Sequence, residues 1–212
     1  MTTATQARLE PRKSPVQARS TASVEAILGA TIQVLLKVGK ERLTTTRVAD
    51  RAGVSVGTLY QYFPNKGALL RAVLQQHMDE LREAVETVCQ EQAGASLEKI
   101  AAALASGFLA AKMRHPKVSV ALYSVSSDVD GAQVVKEMGL RMNRAIVAML
   151  RTTSDELTRD PGTIATMLQS TMAGVSRRLV ESPTPERDYA ALSDELVFLL
   201  RAYARACVES AA

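Results

Sequence analysis

Residues 43–70 read LTTTRVADRAGVSVGTLYQYFPNKGALL, and this stretch decides the fold. The chain has five Tyr and three Phe, yet Tyr60, Tyr62 and Phe63 fall within four positions here. The segment is too short to build a core of its own, so the aromatics need another reason. Thr45 can cap a short helix that Gly53 stops, and Ser55 can cap a second that ends before Pro64. Two short helices separated by Gly53-Val54-Ser55 spell a helix-turn-helix. A helix as short as 56–63 is marginal alone and needs tertiary support. Leu59 and Phe63, four apart, share its inward face, with Val48 and Ala49 of the preceding helix against them. The other face carries Gly57, Thr58, Gln61 and Tyr62, with Tyr60 to the side. It is small and polar at its N-terminal end, as a helix that approaches base edges in a DNA groove must be. The Tyr hydroxyls and Lys66 can donate to phosphate oxygens. Helix N-termini opened by Thr45 and Asn65 offer free N–H groups to the same anions. The alternative reading is a structural helical hairpin with surface tyrosines.

Outward from this stretch nearly everything reads as helix. Upstream, Ile27, Thr31, Val34, Leu35 and Val38 follow helical spacing, with Gly39 as a C-cap. Downstream, Asn65 caps a long helix that Gly94 breaks. Ser96 starts the next, ending near His115-Pro116, and a shorter one covers 117–126. Asp130-Gly131 opens a further helix. Asp160-Pro161 opens another, with a cap and then Pro at the first helical position, running to about Val180. Ser182-Pro183-Thr184-Pro185 links to a last helix over 186–207. The expectation is an all-α protein of about nine helices with no strand and no internal repeat. A flexible basic arm covers 1–20, a DNA-binding head 21–66 and a larger helical domain 67–212.

The charge distribution agrees with a polyanion partner for the head. Residues 1–70 hold ten Lys/Arg against four Asp/Glu, and the remainder sixteen against eighteen. Arg8, Arg12, Lys13 and Arg19 in the arm have two readings, a solvated tail or insertion into an adjacent minor groove. Arg42, Arg47 and Arg51 can track a phosphate backbone or stand as solvated charges. No apolar run reaches 18 residues, which argues against a membrane span, and the N-terminus lacks the apolar core of a secretory signal. Cys89 and Cys207 lie far apart without partner spacing and read as reduced thiols of a cytoplasmic protein. His77 has no second ligand three or four positions away, and His115 suits a helix end. No metal site, nucleophile motif, phosphate loop or dinucleotide fingerprint is present, so neither catalytic residues nor a cofactor are expected.

The run 43–70, above all T-L-Y-x-Y-F-x-N-K, resembles the tetracycline-repressor (TetR) family of bacterial transcription regulators. The likeness is strong over about 21–75. It implies that Thr45 and Thr46 face phosphate, that Ser55, Val56, Gly57, Thr58 and Tyr62 lie at or near bases beside Gln61, and that Tyr60 and Lys66 contact phosphates. Gly67 departs from the larger or acidic residue common there. The resemblance also implies a ligand cavity between the helices starting near 65, 96, 131 and 161. Candidate lining residues are Phe108, Met113, Tyr123, Met138, Met142, Met167 and Gln169, with Ser106 and Ser119 as further polar candidates. An apolar lining would suit an apolar or aromatic effector. A homodimer through the last two helices would present two recognition helices to a palindromic double-stranded operator. Ala165, Ala173 and Gly174 on the first of them, and Leu192, Leu196, Leu199 and Tyr203 on the second, would form that interface. The function implied is a repressor released by a small molecule. Other readings are a DNA-binding regulator gated by a partner protein, an activator, or a helical carrier or enzyme that kept the head as a relic.

Overall fold

The computed structural model describes residues 15–127 and 129–208. These form nine helices: α1 (Pro15–Arg42), α2 (Thr45–Ala52), α3 (Val56–Tyr62), α4 (Lys66–Glu91), α5 (Leu97–Met113), α6 (Pro116–Ser126), α7 (Val129–Leu150), α8 (Pro161–Val180) and α9 (Pro185–Arg205). Among the described residues the only β pairing is an isolated bridge between Leu157 and Val208. The chain divides into two compact units, one up to Leu69 and one from Leu70.

The first unit holds α1, α2, α3 and the start of α4. Pro15 stands at the first helical position of α1, where its fixed φ is pre-organised and no N–H is missed. The helix therefore starts inside the span expected to be an arm. Arg8, Arg12 and Lys13 of that arm, and the side chain of Arg19, lie outside the described residues. Gly39 has φ 76°, so the regular part of α1 ends there as its sequence foretold. Ile27, Ala30, Thr31, Val34 and Leu35 are buried along one face of α1. Thr31 satisfies its hydroxyl by donating to the Ile27 carbonyl at 2.7 Å. Ser20–Arg42 is long and apolar enough to cross a membrane, with mean hydropathy 1.4 in its most apolar stretch. Run length therefore fails to exclude a span here. α1 is buried along one face only, where it packs on α2, and 28% of that apolar stretch is buried.

In the second unit α5 is the central helix. Leu97, Ile100, Ala101, Leu104, Ala105 and Leu109 are fully buried, which requires partners on several sides. α9 and α8 pack on it. Gly107 lets α4 approach, since a Cβ there would sit 2.8 Å from Val88 Cγ2. The first turn of α5 has an unusual cap. Ser96 occupies the N-cap position without a side-chain hydrogen bond, and the Leu97 N–H donates instead to Asp155 Oδ2 at 2.7 Å. Thr152 and Thr153 of the same connection bond to Gly94 and Ala95. Cys89 and Cys207 are both buried free thiols. Burial, then Glu86, pushes the Cys89 thiol up to about 11, so it is inert at neutral pH.

Candidate nucleic-acid interface and ligand cavity

The helix-turn-helix is held by caps that its sequence specifies. Thr44, not Thr45, caps α2: its Oγ1 accepts the Arg47 N–H at 3.3 Å, and Thr45 is the first helical residue. Thr44, Thr45 and Thr46 can each cap, and burial chooses between them, because this register puts Leu43, Val48 and Ala49 in the core. Gly53 ends α2 at φ 69°, its N–H turned back to the last carbonyls. Ser55 caps α3, its Oγ accepting the Thr58 N–H at 2.9 Å. Asn65 Oδ1 caps the start of α4 through the Ala68 N–H at 2.9 Å. Leu59 is fully buried and pins α3 beneath, with Phe63 half-buried at its end.

The opposite surface presents the residues that the sequence singles out. Thr46, Ser55, Gly57, Tyr60 and Gln61 are exposed, and Thr45, Val56, Thr58, Tyr62 and Lys66 are half-buried. Several are already engaged. The Thr45 and Tyr60 hydroxyls share a hydrogen bond at 3.1 Å that joins the start of α2 to α3. Ser55 Oγ and Thr58 Oγ1 share another at 2.8 Å. Each pair uses one of its two protons, so each still has one O–H to donate outward. Lys66 Nζ donates to the Glu41 carbonyl at 3.3 Å, which fixes its ammonium on this surface with further protons free. Arg47 and Arg42 donate to the Arg42 and Val38 carbonyls at the end of α1.

The second unit contains a cavity of about 360 Å³ among α4, α5, α6, α7 and α8. Its wall is mainly apolar, with Leu74, Met78, Leu81, Phe108, Leu122 and Met142 contributing. Of the residues expected there, Phe108, Tyr123, Met142 and Gln169 line it, and so does Ser119. Met138 is instead packed in the core, Met167 is 46% exposed, and Met113 and Ser106 lie away from the cavity. Met138 and Met142 are one turn apart, yet only the second reaches the void. Gln169 is tied in place, donating to the Gly139 carbonyl at 2.9 Å and accepting from Asn143 at 3.2 Å.

Sequence reasoning missed three basic residues on this wall: His77, Lys112 and Arg177. His77 Nε2 and Ser119 Oγ are hydrogen-bonded at 3.2 Å, both buried. Burial, followed by the charges of Lys112 and His115, lowers the His77 pKa to about 4, so the ring is neutral at physiological pH. Lys112 is only 8% exposed, and its Nζ lies 5.5 Å from the Tyr123 ring centre. The Arg177 guanidinium is 5.4 Å from the same ring, and its Nε donates to Glu181 at 3.0 Å. Both cations thus lie within cation–π range of the Tyr123 ring. Burial pulls the Lys112 pKa down to about 8. His115 itself stands exposed between α5 and α6, at the N-cap position of α6 without a side-chain capping bond.

A three-helix head with a turn at Gly53, followed by a helical unit around an apolar cavity, defines a helix-turn-helix regulatory protein. Residues 27–73 match the tetR family of bacterial regulatory proteins, and residues 96–203 match the tetracyclin repressor-like C-terminal domain. The chain belongs to that family. Over 48 residues it is 52% identical to the transcriptional repressor KstR of Mycobacterium tuberculosis, covering 23% of this chain and 22% of that protein. Such matches span well under half the length of the curated relatives. A TetR-family transcriptional regulator from Mesorhizobium loti superposes with a TM-score of 0.76 at 18% identity, covering 90% of this chain and 99% of that one. The regulator FadR of Bacillus subtilis, solved in complex with stearoyl-CoA, superposes at 0.66 with 20% identity, covering 83% and 96%. At these identities the two structures report the shared fold.

Proposed function

We propose that this protein is a sequence-specific DNA-binding repressor, released from a palindromic operator when a small, largely apolar effector enters the cavity. The observation that carries this reading is α4. This one helix begins at Lys66, beside the recognition segment, and further along supplies Leu74, His77, Met78 and Leu81 to the cavity wall. An effector that prefers one position of α4 shifts the protein toward that position only by its differential affinity for the two states. Thr45, Thr46, Tyr60 and Lys66 would hold phosphates. Ser55, Val56, Gly57, Thr58, Gln61 and Tyr62 would lie at base edges. The stearoyl-CoA complex of FadR agrees with a fold able to hold a ligand with a long apolar part.

Two copies would join through α8 and α9. Phe198 and Leu199 on α9 are 69% and 51% exposed, which suits a partner helix. Leu196 and Ala165, which the sequence also offered to that interface, are buried inside the protomer and cannot serve there. Ala173 and Gly174 are exposed and also border the cavity. The protein would act in the cytoplasm, without catalysis or cofactor.

Selection of bound sequences from a random duplex pool tests the reading. A palindromic consensus that the protein releases on addition of an effector is the expected result. Saturated cavity binding with unchanged operator affinity would refute the release mechanism.

A further inference from the structure

The cavity wall carries a cation that nothing in the fold requires. Lys112 sits one residue before the end of α5, a place from which a lysine ordinarily reaches solvent. Here it is buried, and the ammonium turns over Tyr123 on the cavity wall. Among the described residues it has neither hydrogen bond nor ion pair, while His77, Ser119, Gln169 and Arg177 on the same wall all have partners. His77 and Ser119 bond to each other, and Ser119 also reaches the Lys112 carbonyl. Gln169 is held by Gly139 and Asn143, and Arg177 by Glu181. No Asp or Glu is among the described residues lining the void, which holds Lys112 and Arg177 as its charges. An ammonium with so little access to water and no counter-ion is costly to keep. An acidic group arriving in the cavity would offset that cost.

We infer that the effector is an amphipathic carboxylate, with its acid group on Lys112 Nζ at the Tyr123 side and its hydrocarbon body against Leu74, Leu81, Phe108 and Met142. The inference rests on the cavity being the effector site, and it replaces a merely apolar ligand by an anionic one. Size and charge both constrain the choice. About 360 Å³ accepts one chain or ring system of moderate length, and the wall away from Lys112 offers little to pair with a second charge. A neutral ligand of the same shape would leave the ammonium unpaired. A cationic one would meet Lys112 and Arg177.

Calorimetric titration of the DNA-free, full-length protein near pH 7 with decanoate, 1-decanol and decyltrimethylammonium decides the point. The expected order is decanoate tighter than 1-decanol by roughly tenfold or more, as suits a charge-assisted contact, and the ammonium weakest. Lys112→Met should abolish or invert the preference for decanoate while keeping affinity for 1-decanol, and Lys112→Arg should retain it. Equal binding of decanoate and 1-decanol would overturn the assignment. So would a preference that survives in Lys112→Met, or absence of binding by all three probes. Operator release is measured separately. Decanoate bound through Lys112 while the operator stays occupied would remove the repressor-release reading and leave the anion site standing. Release by neutral apolar molecules alone would keep that reading and remove the acid.

Discussion

Replacing Lys112 with Met should make the ligand-free protein more stable, although it removes a side chain from the middle of the second unit. Burial lowers the Lys112 pKa from the ordinary 10.5 to about 8. At about 1.4 kcal/mol per tenfold change in proton affinity, that gap amounts to roughly 3 kcal/mol held against the folded state while the amine is charged. Contact with the Tyr123 ring, worth about 1 kcal/mol, is lost in the variant, and the similarly shaped Met keeps the packing of the stem. A net gain of about 2 kcal/mol remains, on the order of 4–8 °C in Tm for a chain of this size. The pH dependence follows from the sign of the shift. The unfolded chain binds the proton more tightly, so wild-type stability rises with pH between about 8 and 10.5, the penalty being complete below 8. Thermal unfolding of both proteins at intervals from pH 7 to 10 should therefore show the variant ahead at pH 7 and the two converging as pH rises. Other groups on the same wall, His77, Tyr123 and Arg177, are common to both proteins, so the difference isolates Lys112 to first order. A variant less stable than wild type at pH 7, or a difference constant across the range, would refute the reasoning.

Thr58→Ala should weaken binding to the selected operator by roughly 1–3 kcal/mol without changing its salt dependence, read by fluorescence anisotropy at several ionic strengths. An equal loss on random duplex would place Thr58 on the backbone instead. For Lys66→Ala, specific and non-specific affinity should fall together, and the slope of log K against log salt should flatten by about one. Phe198→Glu should shift light-scattering mass from dimer toward monomer while the far-ultraviolet dichroism stays helical; an unchanged dimer would move the interface off that face of α9.

The head was legible almost residue by residue because its determinants are local. Gly53, Ser55 and Asn65 each announce a helix boundary through the chemistry of one residue, and each stands at that boundary, as Asp160 does in the second unit. The run Thr44-Thr45-Thr46 shows the limit of such reading: three equivalent caps differ only in which register buries Leu43 and Val48. The cavity was legible in outline and not in content. Periodicity marks Met138, Met142 and Met167 as apolar helix positions, but only the packing of α7 and α8 determines that the first is core, the second wall and the third surface. Lys112 illustrates the same gap. A lysine in the last turn of a helix is the commonest of sequence features, and its meaning changes only once α5 is known to be the central helix. The one cue available earlier was that α5 carries few other charges, with Glu98 and Lys99 confined to its first turn.

Asp155 accepts the first free N–H of α5 from 58 positions further along the chain. The start of the central helix is thus completed only when the connection between α7 and α8 arrives, after two more helices, α6 and α7, have been laid down. During synthesis the front end of α5 has to wait, frayed, for a stretch of chain that does not yet exist. The price of that arrangement is slow closure, since contacts so distant in sequence form late. Its return is a checkpoint: the helix against which α8 and α9 pack is finished only in a chain translated past residue 155, so truncated products are left with an open end that proteases can reach.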